Sequence, residues 1–440
     1  MTPGLRLETD GQQLTPEALA DALVAALPAG ADIVMPISNG EPVQLLNALE
    51  DRADRLDGVS IHQMHALRDR RYLHGEFAGR LEHVSWFLSH ITRPAFHEGG
   101  LHFAPANFSE VPRLLIEKRP AVVMAAASPP DENGYFSLGV SADYTASLIG
   151  LVPFVVEVNP SMPRTSGANR LHRSEVLGWC EADTPLVEVP LPAISDDDRK
   201  IAEFVADRVN DRSTIQLGIG SIPTAVAGFL ADHRDLGVHT ELLSDPVVDL
   251  VEAGAVTGLY KKSNRGRIVT TFALGTRRLY DFCDRNDLVQ FLAVDEVNDP
   301  RNIGAEPSFV SVNGTIEVDL FGQCASESIG SHYWSGSGGQ ADFARGAQYS
   351  DGGNGFVVLR STAKGGSISK IVPTLNPGAV VTTMKNTVDN VVTEYGVAEL
   401  RGRTLAERAA ALIRIAAPQH REQLEIQAVE MGLIGRGSAR

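Results

Sequence analysis

At 440 residues, with 43% hydrophobic and 21% charged residues, the chain is long enough for two or three domains and too apolar to be disordered. Its 39 basic against 55 acidic residues give a net charge of −16. That balance argues against nucleic acid or an anionic membrane surface as a partner, while leaving local basic sites open to small anions. Cys180, Cys283 and Cys324 lie far apart, without CxxC or metal-ligand spacing, and read as reduced thiols. The opening Met1-Thr2-Pro3-Gly4-Leu5 lacks the basic and apolar regions of a secretory leader. No apolar run reaches the roughly 18 residues of a membrane helix, so the expected location is the cytoplasm.

Along the chain, Thr15 and Pro16 start a helix to about residue 27, and Ala31-Asp32-Ile33-Val34-Met35-Pro36 is a short buried strand. Residues 43–56 read as a helix and 58–62 as a strand. Two further apolar runs, 120–125 and 153–158, are bounded by turn residues. Such runs, with helices between them, predict a parallel sheet covered on both faces. Pro185, Pro190 and Pro192 punctuate a boundary, after which Ser195-Asp196-Asp197-Asp198 caps a helix to about residue 209. The pattern then restarts: strand 213–217, helix 223–232, strand 237–243, helix 246–253. Strands are expected at 291–294, 316–320, 356–359 and 379–382, and a last helix at 405–415. The fold class is therefore α/β: two open, mostly parallel-sheet domains, 1–190 and 191–440.

Gly218-Ile219-Gly220-Ser221-Ile222-Pro223 falls between a strand and a helix. Glycines admit close backbone approach, and the free N–H groups of the helix start favour an anion. The motif is also close to a dinucleotide fingerprint, in which an acid about 20 residues on binds a ribose. Glu241, 23 residues after Gly218, stands near that place, but Pro223 replaces the third glycine. Glu241 precedes Ser244-Asp245-Pro246, a helix cap with proline at the first position, so its carboxylate is expected near the C-terminal edge of the sheet. His239 would share its side of the strand, either tuning the carboxylate or simply packed.

Gly336, Gly338 and Gly339 suggest backbone approaching a ligand, or a mobile loop. Lys364, in a small-residue loop after a strand, suits a phosphate or solvent. Lys261-Lys262-Ser263-Asn264-Arg265-Gly266-Arg267 is a solvated turn or a nucleotide contact. No GxSxG, HExxH or Walker loop occurs, and no His/Cys set has metal spacing.

Together these stretches resemble the acetyl-CoA hydrolase/transferase family of class I CoA-transferases, closest in pattern to the 4-hydroxybutyrate CoA-transferases. The resemblance spans nearly the whole chain. It rests on Glu157-Val158-Asn159 with Met162-Pro163, Gly218 to Pro223, and His239 to Asp245. Further on it rests on Glu317-Val318-Asp319-Leu320 with Gly322-Gln323, Gly338-Gly339-Gln340 with Asp342-Phe343, Ser361 to Lys364, and Val392-Thr393-Glu394-Tyr395-Gly396. Pro246 departs from the pattern, standing where such proteins have glycine.

The resemblance implies an active site at the interface of the two domains. It also implies a glutamyl-CoA thioester formed on Glu241, with Asn298 and the Gly339 N–H as oxyanion donors. CoA contacts would come from Gly218, Ile219, Gly220, Ser221, Ile222, Ser335, Gly339 and Lys364, with Glu394 near the site. Coenzyme A enters as acyl-CoA substrate, a small carboxylate is the second substrate, no metal is needed, and the assembly would be a homodimer. The alternatives are an acyl-CoA hydrolase using the same glutamate, a non-catalytic CoA- or nucleotide-binding protein, and an NAD-binding dehydrogenase.

Overall fold

The computed structural model describes residues 5–7 and 11–435. Residues 1–4, part of the stretch read above as lacking a leader, lie outside the described residues. The chain forms two compact units. The first runs up to Pro190 and takes in Val269–Val297; the second comprises Leu191–Ile268 and the chain from Asn298 onward.

The sheet of the first unit has eight strands: β1 (Gln12–Leu14), β2 (Asp32–Val34), β3 (Val59–Gln63), β4 (Leu81–Ser85), β5 (His102–Phe103), β6 (Val122–Ala127), β7 (Phe154–Val158) and β8 (Val176–Glu181). Their order is β1-β8-β7-β6-β2-β3-β4-β5. Every neighbouring pair is parallel. β6 and β7 are buried at every position, β6 as an unbroken apolar run and β7 as one interrupted by Glu157. Helix α1 (Pro16–Ala26) starts as expected, with the Thr15 hydroxyl accepting the Ala18 N–H.

Helix α2 (Val43–Glu50) has no cap of its own, because Pro42 offers no side-chain acceptor. Glu157, the penultimate residue of β7, supplies it: its Oε2 accepts the Leu45 N–H at 2.7 Å. A buried carboxylate at a helix N-terminus satisfies orphan donors and meets the positive end of the dipole.

The second sheet contains β9 (Thr214–Leu217), β10 (Gly237–Val238), β11 (Phe309–Gly314), β12 (Asn354–Val358), β13 (Asn390–Thr393) and β14 (Gly396–Glu399), ordered β10-β9-β11-β12-β13-β14. All pairs are parallel except the terminal β13–β14 hairpin. Its helices are α3 (Asp196–Ala206), α4 (Ser221–Phe229), α5 (Asp245–Glu252), α6 (Pro300–Ala305), α7 (Gln340–Tyr349), α8 (Leu405–Ile415) and α9 (Pro418–Glu430). Ser195 caps α3 in a capping box with Asp198. Because α3, α6 and α7 each lead into a parallel strand, their N-termini lie at the edge where the strands end. Strand ends and helix starts therefore converge on one edge of this sheet.

Four expectations need correction. The strand drawn over 237–243 is two short pieces, Gly237–Val238 and Leu242–Leu243, with Glu241 in the bend between them. Thr240 causes the break: its hydroxyl donates to the carbonyls of Leu217 and Leu242, competing with the ladder. Residues 379–382 are not a strand. Their polar groups are taken singly, Val380 N–H by the Ser328 hydroxyl and Thr382 N–H by the Cys324 carbonyl. The strand placed at 291–294 is Val289–Phe291, followed by a helical turn at Val294–Val297. Finally, the last helix is α9, which buries only Leu424 and Ala428 and so has almost no apolar periodicity to read.

Pro246 leaves α5 intact. It occupies the second helical position, where a missing N–H removes no intrahelical bond. Among the described residues no helix is long and apolar enough to cross a membrane.

The buried cap on α2 is directly testable. Glu157→Ala leaves first-turn N–H groups facing an apolar interior and should lower stability by about 1–3 kcal/mol, read from the denaturant midpoint. An unchanged midpoint would show that the cap is dispensable.

Candidate active site

Three segments of the second unit meet at Glu241. The bend after β10 carries the acid, the approach to α6 carries Asn298, and Gly339 is the N-cap of α7. The Asn298 side-chain amide donates to Glu241 Oε2 at 2.6 Å. The Gly339 backbone N–H donates to the same carboxyl. Asn298 is fully buried, and its Oδ1 has no hydrogen-bond partner among the described residues.

Gly339 is required for space rather than for conformation. Its φ of −94° is open to any residue. A Cβ there would lie 1.9 Å from Glu241 Oε2 and 2.3 Å from Asn298 Nδ2, distances no atom pair tolerates. The sequence reading has backbone approaching a ligand in this stretch; at Gly339 the group in close approach is the Glu241 carboxyl itself.

The two donor segments are held in register by glycines in their helices. A Cβ on Gly304 of α6 would meet the Tyr349 Cβ at 2.4 Å, and one on Gly346 of α7 would meet Ile303 Cγ2 at 2.4 Å. Helices in such contact cannot slide without a clash.

Burial pushes the Glu241 carboxyl up to about 7. The Asn298 amide and the Gly339 N–H pull the other way, while the negative charge of buried Asp342, in the first turn of α7, raises it further. His239 lies instead in an aromatic cluster, its ring 6.0 Å from Phe309 and 6.5 Å from Phe343. With the strand broken at Thr240, alternation no longer relates His239 to Glu241.

A second grouping forms around Asp198 at the start of α3. This fully buried carboxylate accepts Arg360 Nε at 2.9 Å and Nη2 at 2.6 Å, the Ser195 N–H at 3.0 Å and its hydroxyl at 2.9 Å, and the Ser221 hydroxyl. Burial alone would raise it, yet these donors hold it at about 2.

Asp198 thus ties the Gly218 to Ile222 loop, which ends β9 and begins α4, to the segment after β12. There Ser361 donates its N–H to Glu394 at 2.8 Å, and its hydroxyl to the same carboxylate. Gly220, the N-cap of α4, takes φ +118°, a conformation open to glycine, and Ile219 is 62% exposed. Lys364 is exposed on a short 3₁₀ turn. Ser335 is partly buried, its N–H on the Glu327 carbonyl.

Glu241, Asn298 and Gly339 therefore come together, and the Gly218 loop, the 361–364 loop and Glu394 are joined through a separate network. Sequence reasoning missed Asp198 and Arg360, whose partnership joins residues 162 positions apart. Asp342 carried no more than a motif match. Among the described residues no group of His, Cys, Asp and Glu is placed to hold a metal ion.

Comparison with known proteins agrees with this architecture. Residues 18–206 match the acetyl-CoA hydrolase/transferase N-terminal domain and residues 275–428 the C-terminal domain. Succinyl-CoA:cyclohexane-1-carboxylate CoA transferase of Geobacter metallireducens is 47% identical over 93% of this chain and 94% of its own. The 4-hydroxybutyrate coenzyme A transferase of Clostridium kluyveri is 43% identical over 92% of this chain and 95% of its own. Among solved structures, RipA from Yersinia pestis superposes with a TM-score of 0.90 at 36% identity, covering 97% of this chain and 99% of that one. The chain belongs to the acetyl-CoA hydrolase/transferase family and is an enzyme of that family.

Proposed function

We propose that the protein is a CoA-transferase that moves CoA from a short acyl-CoA to a small carboxylate through a covalent intermediate on Glu241. The observation that carries this reading is the carboxyl oxygen of Glu241 held between the Asn298 amide and the Gly339 N–H. The relatives named for succinyl-CoA with cyclohexane-1-carboxylate and for 4-hydroxybutyrate support small carboxylates as the substrate class.

In this mechanism the Glu241 carboxylate attacks the thioester carbonyl. The C–S bond breaks, and CoA leaves as its thiolate from an acyl–glutamyl anhydride. The thiolate then attacks the Glu241 carbonyl, releasing the donor acid as its carboxylate and forming the glutamyl-CoA thioester. An acceptor carboxylate attacks that thioester, CoA leaves again, and its thiolate takes the acceptor acyl group from the new anhydride. Glu241 is returned as carboxylate, with no net proton transfer. Whenever sulfur attacks the Glu241 carbon, negative charge develops on the oxygen already facing Asn298 and Gly339. The donors need no rearrangement, which is the condition for strong electrostatic stabilisation.

The Gly218 to Ile222 loop, Ser335 and Lys364 are the proposed contacts to CoA, with Arg360 and Asp198 holding two of those stretches together. Glu394 steadies the 361–364 loop through Ser361. The same reading carries a homodimer in the cytoplasm, as the resemblance implies. A hydrolase would use the same glutamate with water in place of the acceptor.

Mixing the enzyme with butyryl-CoA should give a CoA-sized mass increase on the peptide containing Glu241, absent in Glu241→Ala. Acetate should then be converted to acetyl-CoA. Thioester loss at the same rate without acetate would replace transfer with hydrolysis. NAD protecting against thermal unfolding where CoA does not would favour the dehydrogenase reading.

Because the nucleophile must be ionised and its carboxyl sits near 7, kcat/KM should fall as pH drops below about 7. Asp342→Asn removes a negative neighbour, so the acid limb should move to lower pH. A limb that stays in place or moves up counts against Asp342 as the tuning charge. Gly339→Ala keeps its N–H but places a Cβ 1.9 Å from Glu241 Oε2, so it should displace the carboxyl and cost about 10² or more in kcat in a protein whose circular dichroism is unchanged.

A further inference from the structure

The basic turn 261–267 exposes Lys262, Arg265 and Arg267, but its first lysine points inward. Lys261 is 3% exposed. Its Nζ donates to the carbonyls of Val238 and Arg267, both at 3.0 Å. Its stem fills the space over Gly237, where a Cβ would lie 2.6 Å from Lys261 Cγ and 2.8 Å from the Thr214 hydroxyl. The next two residues turn to a different partner. The Lys262 and Ser263 N–H groups donate to the Glu306 carboxylate at 2.6 and 2.9 Å, and the Ser263 hydroxyl joins them. Glu306 is fully buried, caps the C-terminal end of α6, and accepts the Ser350 hydroxyl on its own carbonyl at 2.6 Å.

The ends of this turn lead to the two halves of the site. Val238 is the last residue of β10, three before Glu241. Glu306 closes α6, whose approach carries Asn298. A buried ammonium and a buried carboxylate are costly unless well paired, and here each is satisfied largely by main-chain groups of the segments it joins.

We propose that Lys261 and Glu306 are positioning residues: acting through the 261–263 turn, they fix the spacing between Glu241 and Asn298 and so serve the chemical step rather than CoA binding. This rests on the reading of Glu241 as nucleophile. Both side chains are buried and bonded to main-chain groups, so their removal should act through geometry, and a displacement of about 1 Å at a reacting pair can cost 10²-fold.

The test uses the full-length enzyme. Lys261→Met keeps the stem over Gly237 and removes the charge. It should lower kcat by roughly 10–100-fold, leave KM for acyl-CoA within about twofold, and slow glutamyl-CoA formation in a single turnover by the same factor. Ser263→Ala, which removes one hydroxyl contact and keeps both N–H bonds, should give a smaller loss in kcat of the same kind. Lys261→Arg should recover part of the rate.

A folded Lys261→Met with wild-type kcat, or one whose loss lies wholly in KM, overturns the inference. Should Lys261→Met fail to fold, wild-type kcat in Ser263→Ala overturns it instead. The nucleophile reading fails separately: activity retained in Glu241→Ala removes it, whereas an inactive Glu241→Ala beside a fully active Lys261→Met removes only the positioning role.

Discussion

A carboxyl oxygen of Glu241 and the amide of Asn298 meet at 2.6 Å in a space that a single Cβ at residue 339 would occupy. That contact sets the demands on the rest of the second unit. The acid must leave its strand at the right residue, which the Thr240 hydroxyl arranges by breaking the ladder. The two donors must arrive on separate helices at fixed separation, which Gly304 and Gly346 secure by letting α6 and α7 touch. A parallel sheet meets both needs, because strand ends and the starts of the helices that precede strands share one edge. The same rule gathers Ser195, Asp198, Ser221 and Arg360 into the second network without any further device.

Much of this architecture is legible in the sequence, and the limits are physical. Fully buried strands such as β6, a continuous apolar run, and β7, apolar but for Glu157, stand out. β11, central in the second sheet, interleaves Ser311 and Asn313 with its valines and escapes notice. The caps at Thr15 and Ser195 are local and readable; the cap on α2 comes from Glu157, over a hundred positions away, and is not. Gly339 reads from the sequence as backbone near a ligand, and its local sequence does not say that the group in close approach is Glu241. Lys261 shows why charge runs mislead: in one basic turn, exposed Lys262 and buried Lys261 look alike.

The residues that make the family recognisable mostly build rather than react. Glu157 caps a helix, Glu317 accepts the Asn376 N–H at 3.0 Å, and Asp319 closes a turn through the N–H groups of Phe321 and Gln323. Each is a buried or half-satisfied carboxylate whose neighbours fit one geometry, so each tolerates little change. A motif match is therefore evidence first that the frame is present. The proposed chemistry rests on the few positions where that frame brings together groups from distant segments, as at 241, 298 and 339.

The electrostatics of Glu241 show how such a frame can serve both halves of an exchange reaction. A carboxylate kept at its ordinary acidity would be a weak nucleophile toward a thioester, and one fully desolvated would be protonated at neutral pH. Burial and the nearby Asp342 drive the group upward, while Asn298 and Gly339 restrain it near 7. The restraining groups are donors aimed at oxygen, so they stabilise a carboxylate and a tetrahedral oxyanion alike. The raising influences act only on the ionised resting state, since the acylated side chain has no charge for burial or Asp342 to oppose. In the proposed mechanism, forming the covalent state would relieve a penalty that the donors alone do not cancel. On that proposal the balance would favour a glutamate that is ready to be acylated and, because the donors remain in place, ready to be released.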